Sequence, residues 1–542
     1  MQSWTDFTWR RVSFALVVLG MALATSAILK KSVTVDEFQA LPSGLAVLQT
    51  GDFRYPIGTP PLSQILPAIP AWIAGVKVPP PTFGPGAAWA VAHAFANSDA
   101  PAFHRYFLFA RLVSLSALLA TMLLALALAT RLYGARAATL AVACLALNPT
   151  FLAHGALVTP DIYLAAAMAL FLLLLDRYAE LPTLRRAALL GAALGIACLA
   201  KFTAVLLFPL LPLLFYLVGV KRCARATLLA WVGALVMIHA GYAFQEPFGA
   251  TVPWLPAWIP LPLPAQFMRE ALDQLHEGTY PSYLFHRFSE RGFFQYYLVA
   301  ILVKTPAGLL ALAALACTGP LRPRERPLAV LTPFYFAFFS LARYKNLGIR
   351  YLLFLYPWVA VFSARVKLKE PWRKRIVATA LACTAAGAAL AWPDYIAYFN
   401  LPSGGPSFGH TYLLESNLDW GQDLTTLKDF MDERGITEIS LAHFGQVDPA
   451  LYGIRSTLLN GRPANRYVAI SANFLWGRSY FVNGTTFYPA TMTGYQAYQG
   501  VAPLAVLGHS IYVYDSETIP QLAHSNIGGD PERRPQKNSA HE

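Results

Sequence analysis

Long apolar runs, each near the length of a bilayer crossing, recur along this chain, and short linkers rich in arginine and lysine separate them. A hydrocarbon core takes about 20 helical residues to cross. In lipid, every backbone N–H and C=O must be satisfied within the spanning structure. Such runs admit a bundle of membrane helices and little else. We read eleven spans, near 12–29, 107–130, 137–153, 160–175, 187–200, 203–219, 226–243, 293–317, 327–342, 350–364 and 376–392. The stretch 187–219 is too long for one crossing, and Lys201 interrupts it, so it is split into two short helices with a turn at Lys201.

Composition agrees. The 542 residues are 56% hydrophobic and only 13% charged, where a soluble protein carries about 25% charged residues. Mean hydropathy is +0.44. The net charge of +13 does not describe a nucleic-acid surface, because the cations sit mainly in linkers between spans. With eleven spans, one face receives Arg10 and Arg11, Arg131 and Arg136, Arg177, Arg185 and Arg186, Lys221, Arg222 and Arg225, Arg322, Arg324 and Arg326, and the run from Arg365 to Arg375. Cytoplasmic linkers carry such an excess. The N-terminus is therefore expected in the cytoplasm and the C-terminal region outside it, periplasmic or extracellular. Arg10-Arg11, an apolar core and Ala22-Leu23-Ala24 also resemble a cleaved signal. We read a retained span, and cleavage would leave the sidedness of the rest unchanged.

The expected class is an all-α polytopic membrane domain with about 11 transmembrane helices over residues 1–392, followed by a small α/β extracytoplasmic domain over 393–520. A polar tail over 521–542 is expected to be disordered. Two outer loops are substantial, 30–106 and 244–292. Both are rich in proline, and Leu62–Ile73 in the first reads as an amphipathic helix on the membrane. In the C-terminal region 423–434 reads as a helix, and 438–443, 467–471 and 510–514 as strands. The five cysteines lie in or beside spans with no Cys-x-x-Cys or Cys/His pattern, so neither a disulfide framework nor a zinc site is indicated.

Against this topology a few charges are out of place. Asp36-Glu37 follows the first span at the outer face. A carboxylate there can be a solvated juxtamembrane acid or a general base taking a proton from a hydroxyl. Asp161, in Thr159-Pro160-Asp161, begins the fourth span at the same face, where an acid is also ordinary capping chemistry. His154 lies at that corner, more in keeping with a structural role. Lys201 sits at the outer turn of a long apolar run, which by default is a functional position. Lys304 lies about 11 residues into its span, roughly 16 Å, and needs a buried partner, either an acid or a phosphate. Arg343, Lys345 and Arg350 crowd one short outer linker, where topology disfavours cations. Arginine matches phosphate with two parallel donors. Tyr283 and His286 in the second loop suit a sugar or a headgroup.

Taken in order, these motifs resemble the lipid-carrier-dependent glycosyltransferases of GT-C fold, the protein O-mannosyltransferase and aminoarabinose-transferase-like superfamily of glycosyltransferase family 39 type. The resemblance runs over most of residues 10–400. It is carried by Val35-Asp36-Glu37, Thr59-Pro60-Pro61-Leu62, Asn148-Pro149 through Asp161, Leu199-Ala200-Lys201-Phe202-Thr203, Tyr283-Leu284, Lys304-Thr305-Pro306 and Asn346-Leu347-Gly348-Ile349-Arg350-Tyr351. Thr59 stands where the family often has histidine. The run Ser416-Asn417-Leu418-Asp419-Trp420-Gly421-Gln422-Asp423 looks like the C-terminal module of a bacterial branch.

The resemblance implies transfer of a sugar from a polyprenyl-phosphate donor to an acceptor at the extracytoplasmic face, by one inverting displacement. Asp36 would be the base, Glu37 its neighbour orienting the acceptor or the loop, and Asp161 a second acid in the same cavity. Lys201 and Arg350 would neutralise the leaving phosphate, with Lys304, Arg343 and Lys345 as lesser candidates. No cofactor is required. A divalent metal is possible but not indicated. The acceptor is a glycan, lipid or protein that the sequence does not single out, and membrane lipid is the other expected partner. A multispan lipid or sugar transporter or flippase is the alternative, since intramembrane acids and lysines also mark transport paths. A non-catalytic assembly protein is a third.

Overall fold

The computed structural model describes residues 2–54, 58–79, 87–220, 223–248, 251–252, 256, 261–276, 281–343, 346–459, 463–478, 480–482, 486–488 and 495–519. The expected tail over 521–542 lies outside them. The chain divides into two compact units, Met1–Trp420 and Gly421–Glu542.

The first unit is helical. It begins with α1 (Gln2–Ile28), α2 (Val35–Thr50), α3 (Leu62–Ile73), α4 (Ala87–Ser98), α5 (Phe103–Tyr133), α6 (Ala135–Ala146), α7 (Pro149–Gly155), α8 (Pro160–Glu180) and α9 (Leu184–Ala200). It continues through α10 (Leu207–Leu217), α11 (Ala224–Gly241), α12 (Ala265–His276), the hairpin β1 (Ser282–Leu284) and β2 (Arg287–Ser289), α13 (Tyr296–Lys304), α14 (Ala307–Ala316), α15 (Arg326–Leu341), α16 (Leu355–Ser363), α17 (Pro371–Ala391) and the single turn α18 (Gly409–Tyr412).

Each of the eleven expected spans has a helical counterpart, but their lengths differ. Among the described residues, five helices are long and apolar enough to cross a membrane: Phe7–Ile28, Ala100–Tyr133, Pro160–Glu180, Ala224–Gly241 and Pro371–Ala391. Two bent pairs, α6 with α7 at 70° and α13 with α14 at 110°, raise the number to seven if each is one span. The chain is a multi-pass membrane protein. The other four expected spans are shorter: α9, α10 with the 3-10 turn before it, α15 and α16.

The breaks have local causes. Between α6 and α7, Asn148 caps the new helix by accepting from Phe151 N (3.3 Å), and Pro149 takes its first position. Pro306 cannot donate to the ladder and ends α13 at Lys304. At Lys201 the backbone is extended (φ −160°), so α9 stops there and a 3-10 turn, Phe202–Leu206, follows. The expected split of the 187–219 run thus falls at Lys201. Beside it, α9 packs on α11 through a small-residue seam. A Cβ on Gly191 would lie 2.2 Å from Ala230 O, and one on Gly195 2.5 Å from Met237 Cβ.

At the end where α5 and α8 finish, basic side chains form a rim. Arg131 pairs with Asp176 (2.6 Å) and Glu180 (2.7 Å), Arg324 with Asp176 (2.5 Å), and Arg365 with Glu325 (3.3 Å). Residues 393–420, expected with the C-terminal domain, pack in this first unit instead. Asp394 pairs with buried Lys31, and Asn400 Nδ2 donates to Thr305 O (2.8 Å).

The second unit contains α19 (Leu424–Glu433), β3 (Ile439–Ala442), β4 (Ser456–Leu458), β5 (Tyr467–Ser471), the hairpin β6 (Tyr480–Val482) and β7 (Thr486–Tyr488), β8 (Ala505–Leu507) and β9 (Ile511–Asp515). The sheet order is β4-β3-β5-β9-β8. β3 runs parallel to β4 and β5, with Ser440 opposite Val468, while β9 runs antiparallel to β5 and β8. This is the expected α/β module: the helix and all three expected strands form within a residue or two of their predicted bounds. The strands β4 and β8 and the two hairpins were not legible in the sequence.

Candidate functional site

The N-terminus of α2 builds the site. Thr34 caps it, and the Glu37 carboxylate closes the box by accepting from Thr34 N and Thr34 Oγ1, each at 3.0 Å. Glu37 also accepts from Arg111 Nε (2.8 Å), Arg111 Nη2 (2.6 Å) and Val158 N (3.1 Å). It is fully buried. Burial alone would push this carboxyl up. The Arg111 guanidinium and the two backbone N–H groups outweigh that and hold it below the usual carboxylate range. Both oxygens are engaged, so no group is left to touch an acceptor. Glu37 is thus a clamp that ties α2 to α5 and to the turn before α8.

Asp36, the preceding residue, is partnered differently. Its Oδ2 lies 2.8 Å from Arg350 Nη1. The same Nη1 lies 3.6 Å from Asp161 Oδ2, and Asp161 Oδ1 accepts from Lys201 Nζ at 2.6 Å. Four segments distant in sequence thus deliver two acids and two bases in one chain of contacts. The side chain of Asp36 is 32% exposed, against 10% for Arg350, 12% for Lys201 and 1% for Asp161. Asp36 is the member that a reactant can reach. Aromatic faces wall the cations: Arg350 lies 4.4 Å from the Trp420 ring centroid, and Lys201 lies 4.1 Å from that of Tyr351. His154 is buried at this corner with no hydrogen bond at either ring nitrogen, its ring 5.9 Å from Trp420.

Arg350 is placed by the segment 346–350. Asn346 Oδ1 accepts from Phe293 N (2.7 Å), Ile349 N donates to Asn417 Oδ1 (3.0 Å), and Ser416 Oγ donates to Leu347 O (2.6 Å). Gly348 sits at φ +129°, and a Cβ there would lie 2.1 Å from Ser416 Oγ. The first residues of the Ser416–Asp423 run therefore belong to the helical unit and hold the arginine. Val35 N donates to Trp420 O (3.1 Å), which anchors α2 to the same run.

The remaining candidates are elsewhere. Lys304 is fully buried, as its depth implied, and its hydrogen-bond partners among the described residues are backbone carbonyls. Its Nζ donates to Ile396 O (2.8 Å) and Asn417 O (2.6 Å), and it lies 4.4 Å from the Phe399 ring. It braces the 393–420 segment. Arg343 is exposed and makes no ion pair among the described residues. Lys345 lies outside them. Tyr283 donates to His410 O (2.6 Å) and sits 3.1 Å from His286 Nδ1. Burial, and then the neighbouring His286, push the His410 imidazole down to about 4, so it is uncharged at neutral pH. Tyr283, His286 and His410 form a polar group of their own. Thr59, at the family's histidine position, accepts from Gln64 Nε2 (2.9 Å).

Sequence reading missed Arg111, Trp420 and Tyr351. Arg111 had a signal, an arginine inside the apolar run of α5. Trp420 and Tyr351 stand within quoted motifs, but nothing in a motif says which ring faces a cation. Among the described residues no three His, Cys, Asp or Glu side chains gather as a metal site.

Residues 85–241, which include Asp161 and Lys201, match the family model described as dolichyl-phosphate-mannose-protein mannosyltransferase. No curated protein matches the chain. Among solved structures, the chain is similar to ArnT from Cupriavidus metallidurans bound to undecaprenyl phosphate, at 15% identity and TM-score 0.48, covering 95% of this chain and 99% of that one. It is also similar to the Archaeoglobus fulgidus oligosaccharyltransferase tethered to an acceptor peptide, at 14% identity and TM-score 0.42, covering 88% and 71%. These are loose likenesses, and the family match stands without them. Residues 85–241 of this multi-pass membrane protein are thus similar to the lipid-carrier-dependent mannosyltransferases, the class that the chain's motifs resemble.

Proposed function

We propose that this protein transfers a sugar from a polyprenyl-phosphate donor to an acceptor hydroxyl at the extracytoplasmic face of a bacterial inner membrane, with inversion. The observation that carries the proposal is the Asp36–Arg350–Asp161–Lys201 chain, in which the one accessible acid is paired to an arginine backed by a second acid and a lysine. Arg350 offers its parallel donors to the donor phosphate. A phosphate drawing the guanidinium away would release Asp36 Oδ2, so donor binding would unmask the base.

The acceptor oxygen then attacks the anomeric carbon while Asp36 takes its proton. The bond from that carbon to the phosphate oxygen breaks, and its electron pair leaves with the polyprenyl phosphate. Arg350 and Lys201, each against an aromatic face, stabilise the charge that develops there. Asp161 holds both cations in place and stays out of the proton transfer. Fixed cations supply the charge stabilisation, and the step as written uses no metal.

The test is transfer of radiolabelled sugar from a polyprenyl-phosphate donor in membranes containing the protein. Asp36→Asn keeps shape and removes basicity, and turnover is expected to fall at least about 10²-fold with donor binding retained. Near-normal turnover in the folded variant removes Asp36 as the base. No transfer by the wild-type protein with any lipid-phosphate sugar would leave the transporter reading standing.

A further inference from the structure

At the far end of α2, a cavity of about 450 Å³ opens beside the C-terminal end of α11 and the first turns of α12. Its size is in the range of small-ligand sites. Thr50 is 14 residues from Asp36, which along a helix puts the cavity about 21 Å from the base. The helix that presents Asp36 at one end thus presents this cavity at the other.

The lining is polar but electrically closed. Asp52 is held in a forked pair by Arg54, with Nε at 3.0 Å and Nη2 at 2.7 Å. Glu246 pairs with Arg269 (3.3 Å). Gln245 donates to Gly51 O (2.7 Å) and keeps its side-chain carbonyl without a hydrogen bond among the described residues. Gln266 donates to Glu270 (3.0 Å), which also accepts from Tyr242 OH (3.0 Å). Behind them, Phe53 packs against Tyr242 with ring centroids 5.3 Å apart. Planar amides and neutralised ion pairs over an aromatic floor recognise hydroxyls rather than ions, because no uncompensated charge is on offer.

Two further observations mark the spot. Ala243, Phe244 and Glu246 hold φ of +51°, +56° and +42°, a conformation that non-glycine residues rarely adopt and that collects at ligand sites. Glu270 is buried and pairs with no cation among the described residues, and burial pushes its carboxyl up to about 8, so at neutral pH it adds little charge beneath the cavity.

We propose that this cavity is a second carbohydrate subsite, taking a neutral sugar ring of a glycan acceptor whose reacting hydroxyl lies at Asp36. The identity of the ligand as acceptor rests on the transferase reading, whereas sugar binding in the cavity does not. The acceptor class it selects is an extended glycan, held at two points along α2.

The experiment uses the full-length protein in detergent with maltotriose, mannotriose and chitotriose as neutral probes and sialyllactose as an acidic one. Saturable binding of at least one neutral trisaccharide is expected. Gln245 is exposed at the rim, so its replacement does not challenge the fold. Gln245→Ala is expected to weaken binding about fivefold, the scale of one hydrogen bond, and Gln245→Trp, which fills the mouth, to abolish it. Binding of none of the neutral probes, of the acidic one only, or binding that survives Gln245→Trp, overturns the subsite. Sugar transfer by the wild-type protein is measured in parallel. Binding without transfer sinks the transferase reading and leaves the cavity a sugar site; transfer without binding sinks the cavity alone.

Discussion

Arg350 lies between two carboxylates, 2.8 Å from Asp36 and 3.6 Å from Asp161, with an indole face 4.4 Å away. A lysine at this position keeps the charge and loses the fork. Arg350→Lys is therefore expected to lower turnover about 10²-fold, the scale of losing one preorganised donor to the developing charge. Lys201→Ala is expected to weaken the response to donor concentration more than to acceptor. A wild-type donor response in both variants would place the phosphate elsewhere. Glu37 differs in kind. Glu37→Gln strands the Arg111 guanidinium in a buried site and is expected to cost about 3–5 kcal/mol of stability. Glu37→Gln with Arg111→Met should recover much of that, and thermal unfolding in detergent reads both. If the single variant unfolds like wild type, Glu37 is no clamp. The sequence displayed Lys201 and Arg350 because each is a cation where topology disfavours one, and Asp36 because an acid shares their face and stands in a family-like motif. The resemblance named Asp36 rather than Glu37 as the base; the residues alone could not, since neighbours on a helix point about 100° apart and only the fold says which one faces inward. Lys304 was legible as buried, but not its partners, because a backbone carbonyl from 92 or 113 residues further on leaves no trace in composition.

Helix ends do most of the positioning. Asp36 and Asp161 stand in the first turns of α2 and α8, Lys201 where α9 stops, and Arg350 in the 3-10 turn before α16. The break at Lys201 was read from the sequence; those at Pro149 and Pro306 fall inside runs read as single spans. Span lengths were not legible, because an apolar residue in a short buried helix looks the same as one facing lipid. The turn that carries Arg350 depends on Gly348. With φ +129° and Ser416 Oγ in the space a Cβ would need, Gly348→Ala is expected to shift the arginine and lower turnover at least about tenfold, a small misplacement being costly at a reacting centre. Unchanged activity would show that the turn adapts. In α12, Glu270 carries a pH signature. Burial raises its carboxyl from 4.5 to about 8, so its share of stability is fully present below pH 4.5 and is lost as pH rises towards 8, at about 1.4 kcal/mol per pH unit. Glu270→Gln should remove that slope. The thermal midpoint of wild type minus variant, followed from pH 5 to 9, is expected to fall; a flat difference would mean that Glu270 is solvated.

The whole helical unit separates two kinds of charge along its axis. Asp161 opens α8 and Asp176 lies near its end, 15 residues or about 22 Å away, most of a hydrocarbon core. Asp161 joins Lys201 and Arg350; Asp176 joins Arg131 and Arg324. The arginines assigned to one face from linker charge alone, including Arg131, Arg324 and Arg365, do meet in ion pairs at one end of the bundle, and the proposed site lies at the other. If the basic rim faces the cytoplasm, the Asp36 end faces outward, where a polyprenyl-phosphate sugar and an envelope acceptor would meet. A reporter that works only in the cytoplasm tests this. It cannot be fused at Trp392, because residues 394–417 brace Lys31 and Lys304 and their loss would disturb the bundle under test. Fusion after Glu542 keeps both units whole. The reporter is expected to be silent there, and active when inserted between Thr318 and Leu321, in the linker that precedes the rim arginines. The reverse pattern would put Asp36, Asp161, Lys201 and Arg350 on the cytoplasmic side and end the proposal of transfer at the outer face.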